Sequence, residues 1–119
     1  MFSDEEPARL PTNLIVTSVV RQAQMAGGSA YILQRGDAER GMVLVKLRGL
    51  RDDSCRLELQ QRDLDGRLQW MPALPGPTPP DEAKIDGYIE RAQARDPDLW
   101  VVEIEVQDQE APNPFVNAL

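Results

Sequence analysis

A period of two runs through three segments of this chain, and it restricts the fold more than any other feature. Val43, Val45 and Leu47 alternate with Lys46 and Arg48. Cys55, Leu57 and Leu59 oppose Arg56, Glu58 and Gln60, and Leu68 and Trp70 oppose Arg67 and Gln69. Successive strand residues point to opposite sides, so each segment reads as a strand with one apolar face and one polar face. Four strands are expected in succession: SAYILQRG (29–36), GMVLVKLRG (41–49), SCRLELQQ (54–61) and RLQWMP (67–72). The first two flank GDAERG and read as a hairpin. The second two flank RDLDG, whose Asp65-Gly66 suits a tight hairpin turn. One buried face and one wet face imply an antiparallel sheet with helices packed on one side.

The flanking segments read differently. In residues 12–26, Ile15, Val19, Ala23 and Ala26 recur at helical spacing, opposite a stripe of Asn13, Thr17, Arg21 and Gln24. Their β-branched neighbours favour a strand by propensity, but the period favours a helix. Thr12 is expected to cap it, and Gly27-Gly28 to end it. MPALPGPTPP (71–80) is too proline-rich for a helix or central strand and reads as an extended connector. A second helix is expected from near Pro79, capped by Thr78, with Asp81 in its first turn and Ile85, Tyr88, Ile89 and Ala92 as its apolar stripe. Pro97 disfavours helical geometry at Asp96, so that helix stops there. A fifth strand then places Trp100, Val102, Ile104 and Val106 on its buried face. The expectation is an α+β fold over residues 1–106, in the order α-β-β-β-β-α-β. It is an antiparallel sheet of about five strands flanked by two helices. Residues 107–119, polar and broken by proline, read as a flexible C-terminal tail.

Composition narrows the chemistry. The chain has no histidine, which excludes every scheme that needs imidazole as base or ligand. Its single cysteine, Cys55, allows no internal disulfide and suits a reducing compartment. LIVTSVV, the longest apolar-rich stretch, is too short to cross a bilayer, and the acidic start does not resemble a signal peptide; a soluble cytoplasmic protein is expected. Residues 1–60 carry eight basic and eight acidic side chains, whereas residues 61–119 carry five and twelve, so the second half holds the whole net charge of −7. That balance disfavours nucleic acid as a partner.

Three side-chain groups are candidate sites. ARDPDLWVVEIEV (94–106) gathers Asp96, Asp98, Glu103 and Glu105, whose oxygens suit a hard divalent cation. The plainer account is a turn shaped by the two aspartates and a wet strand face carrying the two glutamates. Lys46, Arg48 and Arg56 form a candidate basic face on adjacent strands. Pairing with Glu58, Glu103 and Glu105 is the plainer account of it. Cys55 reads as a small buried hydrophobe. Arg35-Gly36-Asp37, Asn113-Pro114-Phe115 and the Pro72–Pro75 pair spell short recognition motifs, each of a kind that arises by chance. Gly27-Gly28-Ser29 lies between a helix and a strand, the reverse of the order that phosphate loops need.

The wording of ARLPTNLIVTSVVRQAQMAGGSAYILQRGD (8–37) and DPDLWVVEIE (96–105), with DEAKIDGYIERA between them, resembles a family of small bacterial proteins. That family is number fourteen ninety-one in the domain-of-unknown-function series. The resemblance implies a short soluble bacterial protein, and it brings no catalytic residues. The reading that follows is a protein of unknown function, foremost a cytoplasmic interaction or regulatory module without catalysis or cofactor. Its partner would be another protein, not a membrane. The alternative is a divalent-metal enzyme using Asp96, Asp98, Glu103 and Glu105. The third is a nucleic-acid binder using Lys46, Arg48 and Arg56. The oligomeric state is not legible.

Overall fold

The segment WVVEIEV begins with apolar residues on both of its faces, and a strand of that kind needs cover on both sides. In the structure, a computed structural model describing residues 10–118, this segment is β5 (Trp100–Val106) at an interior position of the sheet. The elements run α1 (Thr12–Met25), β1 (Ala30–Gln34), β2 (Val43–Gly49), β3 (Cys55–Arg62), β4 (Leu68–Pro72), α2 (Glu82–Arg95), β5 and a short 3-10 turn over Pro114–Asn117. The expected order of helices and strands is therefore present. The strand order across the sheet is β1-β5-β2-β3-β4.

Several expectations are corrected, the first being the direction of the strands. The sheet is mixed and not purely antiparallel, because β5 runs parallel to β2, in register from Val43 beside Trp100 to Gly49 beside Val106. Consequently β1 and β2 do not form a hairpin. The last strand inserts between them, and β1 pairs antiparallel with β5. Burial explains the choice: Trp100, Val101 and Val102 are all buried, whereas Tyr31 and Leu33 of β1 are exposed. The strand with two apolar faces takes the interior, and the one with a wet face takes the edge. The β3–β4 hairpin forms as expected. Asp63 shapes its turn by accepting from the Asp65 and Arg67 amides at 2.8 and 2.9 Å, and Gly66 adopts φ +83°.

The second correction concerns the sides of the sheet. Helix α1 packs Val16, Val19 and Val20 against Val43, Val45, Leu47, Trp100, Val102 and Ile104. Helix α2 packs Ile85, Ile89 and Ala92 against Leu44, Leu57 and Val101 on the opposite face. The helices thus cover both faces, not one. In the β2–β3 register Leu47 lies beside Arg56 and Val45 beside Glu58. The apolar stripe of β2 therefore faces α1, while the apolar stripe of β3 faces α2. Both strands alternate, but with opposite phase across the ladder.

That arrangement leaves Arg56, Glu58 and Gln60 on the α1 face beyond the reach of α1. The C-terminal segment covers them. Arg56 donates to the Ala111 carbonyl, Asn113 Nδ2 donates to Glu58 Oε1 at 3.0 Å, and Phe115 packs 5.5 Å from the Trp70 ring. Asn113 and Phe115 are both buried. The segment expected as a flexible tail therefore lies against the sheet, because a polar strand face with an aromatic neighbour offers it partners.

The helix caps also differ from expectation. Thr12 is buried and lends α1 no side-chain cap. Its amide and that of Asn13 donate instead to the Glu39 and Ala38 carbonyls at 3.1 and 2.9 Å, so a neighbouring loop satisfies the orphan helix donors. Asp81, not Thr78, caps α2, accepting from the Lys84 amide at 2.9 Å. The ends are as expected: Gly27, at φ +90°, follows α1, and α2 stops at Asp96 before Pro97.

Candidate functional site

The four acids of ARDPDLWVVEIEV fall into separate places. Asp96 Oδ1 accepts from the Asp98 amide at 3.0 Å, a local turn bond. Loop 34–41 clamps that turn. Gln34 Nε2 donates to the Leu99 carbonyl at 2.7 Å, the Asp37 amide donates to the Asp98 carbonyl at 3.0 Å, and Trp100 Nε1 donates to the Asp37 carbonyl at 2.7 Å. A Cβ at Gly36 or Gly41 would stand 2.2 or 2.4 Å from the Asp98 carbonyl oxygen, so backbone contact explains both glycines, including that of Arg35-Gly36-Asp37. Asp98 stays in that turn, whereas Glu103 is the fourth residue of β5, roughly 10 Å along the strand from its start at one strand rise per residue. Among the described residues, no three His, Cys, Asp or Glu side chains converge as a metal cluster.

Glu103 belongs to a charge network on the α2 face. Lys46, only 4% exposed, donates to Glu82 Oε2 and Asp86 Oδ1, each at 2.8 Å, and stands 3.8 Å from Glu103. Glu82 and Asp86 are one helical turn apart on α2 and meet the ammonium together. Burial alone would lower the Lys46 pKa, but the hydrogen bonds to Asp86 and Glu82 and the charge of Glu103 outweigh it and raise the pKa. Arg48 lies within 4.0 Å of Glu82 and Glu103 and 3.8 Å from Asp53. Beyond it a polar cleft of about 240 Å³ is lined by Tyr31, Arg48, Asp53, Glu103 and Glu105. Lys46 and Arg48 therefore share the α2 face. Arg56 lies on the other face, 3.7 Å from Glu58, so the three candidate basic residues do not form one surface. Cys55 also faces α2; burial raises its thiol pKa, which disfavours the reactive thiolate.

A broader concavity than the polar cleft lies on the α1 face, where sequence reasoning placed no site. A groove of about 1240 Å³ runs between the start of α1, the β3–β4 hairpin and the C-terminal segment. Its floor and walls include Ile15, Val43, Leu68, Trp70, Phe115 and Val116. Arg40, Arg62 and Arg67 stand along it, with Glu39 the acid among its lining residues. These three arginines are exposed, and none has an ion-pair partner within 4.0 Å among the described residues. Gln60 also lines the groove, and its Oε1 is buried with no hydrogen-bond donor among the described residues. The signal available in the sequence was Phe115, the one aromatic after Trp100.

The fold and its surfaces define a small mixed α+β protein with a helix on each face of the sheet and a broad groove beside one helix. The chain belongs to the family described as "Protein of unknown function (DUF1491)", which matches residues 10–113. It is similar to the crystal structure of a DUF1491 family protein from Caulobacter crescentus CB15, with 35% identity, TM-score 0.77, and coverage of 92% of this chain and 97% of that one. An NMR structure of a DUF1491 family protein from Caulobacter crescentus CB15 gives 34% identity, TM-score 0.77, and coverage of 94% and 96%. The solution structure of protein Atu0922 from A. tumefaciens shares the fold at 24% identity and TM-score 0.65, covering 89% and 99%. No curated protein matches.

Proposed function

We propose that this chain is a bacterial, cytoplasmic, non-catalytic interaction module that docks a segment of a protein partner in the groove beside α1. The observation that carries this reading is the groove itself. Its volume of about 1240 Å³ exceeds a typical small-molecule pocket. It joins an apolar floor to a charged margin, the anatomy of a docking surface. The α2 face supports the same reading from the other side, since Lys46 is committed to Glu82 and Asp86 and is not presented to a substrate. The single cysteine and the absence of a described helix long and apolar enough to cross a membrane are compatible with the cytoplasm.

The test is capture from the source cells with the tagged chain and with a Leu68→Asp, Val116→Asp variant, after circular dichroism has shown both to be folded. The expected result is a stoichiometric partner held by the first and lost from the second. A partner retained equally by both, or by neither, rejects the groove as the docking surface.

A further inference from the structure

Resting on that reading, we infer that the groove selects an acidic segment carrying a bulky apolar side chain, the acids meeting Arg40, Arg62 and Arg67. The charge pattern carries this inference. The chain is acidic overall, at −7, yet three exposed arginines line one groove and meet no carboxylate within 4.0 Å among the described residues. Among the described residues only Lys46, Arg48 and Arg56 have a carboxylate within 4.0 Å, so it is the gathering of three arginines along one groove, not their lack of a partner, that sets this margin apart. Acids do stand near the margin, since Asp37 and Asp63 accept from the Arg40 and Arg67 amides and Glu39 lines the groove. None lies within 4.0 Å of the three guanidinium groups among the described residues, and charge farther away is screened beyond about 8 Å at physiological ionic strength. Direct contact with a guanidinium is screened far less and accepts a carboxylate in two parallel hydrogen bonds.

The apolar floor supplies the second half of the specificity. Leu68, Trp70 and Val116 line it beside Ile15, and a bulky side chain seated there would remove them from water. The buried Gln60 Oε1 has no donor among the described residues. That atom is buried and does not itself select a ligand. The apolar floor and the arginine margin agree on a peptide and not a polynucleotide. Single-strand binders need aromatic faces free to stack, and Trp70 packs against Phe115.

Fluorescence anisotropy of labelled probes tests this on the full chain. The probes are a short synthetic peptide with one phenylalanine beside a run of glutamates, the same peptide with glutamines, and an oligothymidylate. The acidic peptide is expected to bind at least roughly tenfold more tightly than the glutamine peptide, and Arg62→Glu with Arg67→Glu is expected to abolish that preference. Equal binding of the two peptides overturns the acid selectivity while leaving a docking groove. Binding of neither peptide overturns the inference, and the capture experiment then judges the groove separately. Tighter binding of the oligothymidylate assigns the groove to nucleic acid and also overturns it. The chain's own residues 1–9 contain Phe2, Asp4, Glu5 and Glu6, so one further variant changes those three acids to serine. If it binds the acidic peptide more tightly than the parent chain, the groove belongs to that leading segment and the partner is rejected.

Discussion

Replacing Lys46 with methionine tests the charge network most directly. Methionine keeps much of the apolar stem, so the change isolates the ammonium. Removing one partner of a fully buried ion pair costs about 3–5 kcal/mol. Here the ammonium is enclosed, but the side chains of Glu82 and Asp86 are 45% and 55% exposed. Both carboxylates can rehydrate, and that halves the penalty to about 2 kcal/mol. For a chain of this size the loss corresponds to roughly 8 °C in melting temperature. Urea unfolding followed by circular dichroism measures it, with the slope unchanged if both states keep their compactness. Adding Glu82→Gln and Asp86→Asn to Lys46→Met is expected to recover about 1 kcal/mol, because the remaining acids then no longer repel one another. The pH dependence has a defined sign. A lysine pKa raised above its ordinary 10.5 gives stability that is complete below 10.5 and lost as pH rises through the folded value. The deficit of Lys46→Met should therefore shrink only in strongly alkaline solution. A deficit below about 0.5 kcal/mol at neutral pH refutes the argument that this lysine stabilises the packing of α2 on the sheet. So does a deficit unchanged by removing the acids, since stem packing would then be its cause.

Other expectations follow from contacts elsewhere. Phe115→Ala removes a buried ring that packs on Trp70 and is expected to cost about 3 kcal/mol in chemical denaturation; a cost near zero would restore the view of residues 107–119 as a tail. Gly41→Ala places a Cβ 2.4 Å from the Asp98 carbonyl oxygen and 2.8 Å from Trp100 Cδ1. It should lower the melting temperature by more than the alanine substitution Gly76→Ala, whose nearest neighbour is 3.9 Å away. Asp52 accepts from Ser54 and from the Gln109 amide, which hold its carboxyl pKa below 3.8. Its contribution is present above 3.8 and lost as pH falls through the folded value, so Asp52→Asn should reduce stability at neutral pH and much less in strong acid. Equal losses at both pH values would remove charge from the explanation.

Local structure was largely legible in the residues. The 3.6-residue stripe of Ile15, Val19 and Ala23 outweighed β-branched propensity and gave α1. Asp65-Gly66 located one hairpin, and Pro97 located the end of α2. Each of these is decided by neighbours within a few positions. The candidate sites were less legible. The separation of Asp96 and Asp98 from Glu103 and Glu105 followed from turn and strand periodicity alone. The division of Lys46 and Arg48 from Arg56 did not, because a strand's own alternation does not state which face of the sheet its apolar side joins. The same blindness hid the groove, whose walls come from α1, the β3–β4 hairpin and the C-terminal segment.

By itself, then, the sequence determined the kind and order of the elements, the turn chemistry between several of them, and the lack of any imidazole chemistry. Tertiary structure decided that β5 enters between β1 and β2, that β2 and β3 bury opposite faces, and that Phe115 closes the sheet beside Trp70. The physical reason is the range of the forces concerned. Caps, turns and periodicity act through backbone geometry over a few residues. Strand order and sidedness arise only when apolar surfaces distant in the chain compete to leave water, and Trp100, Val101 and Val102, buried together, win the interior position.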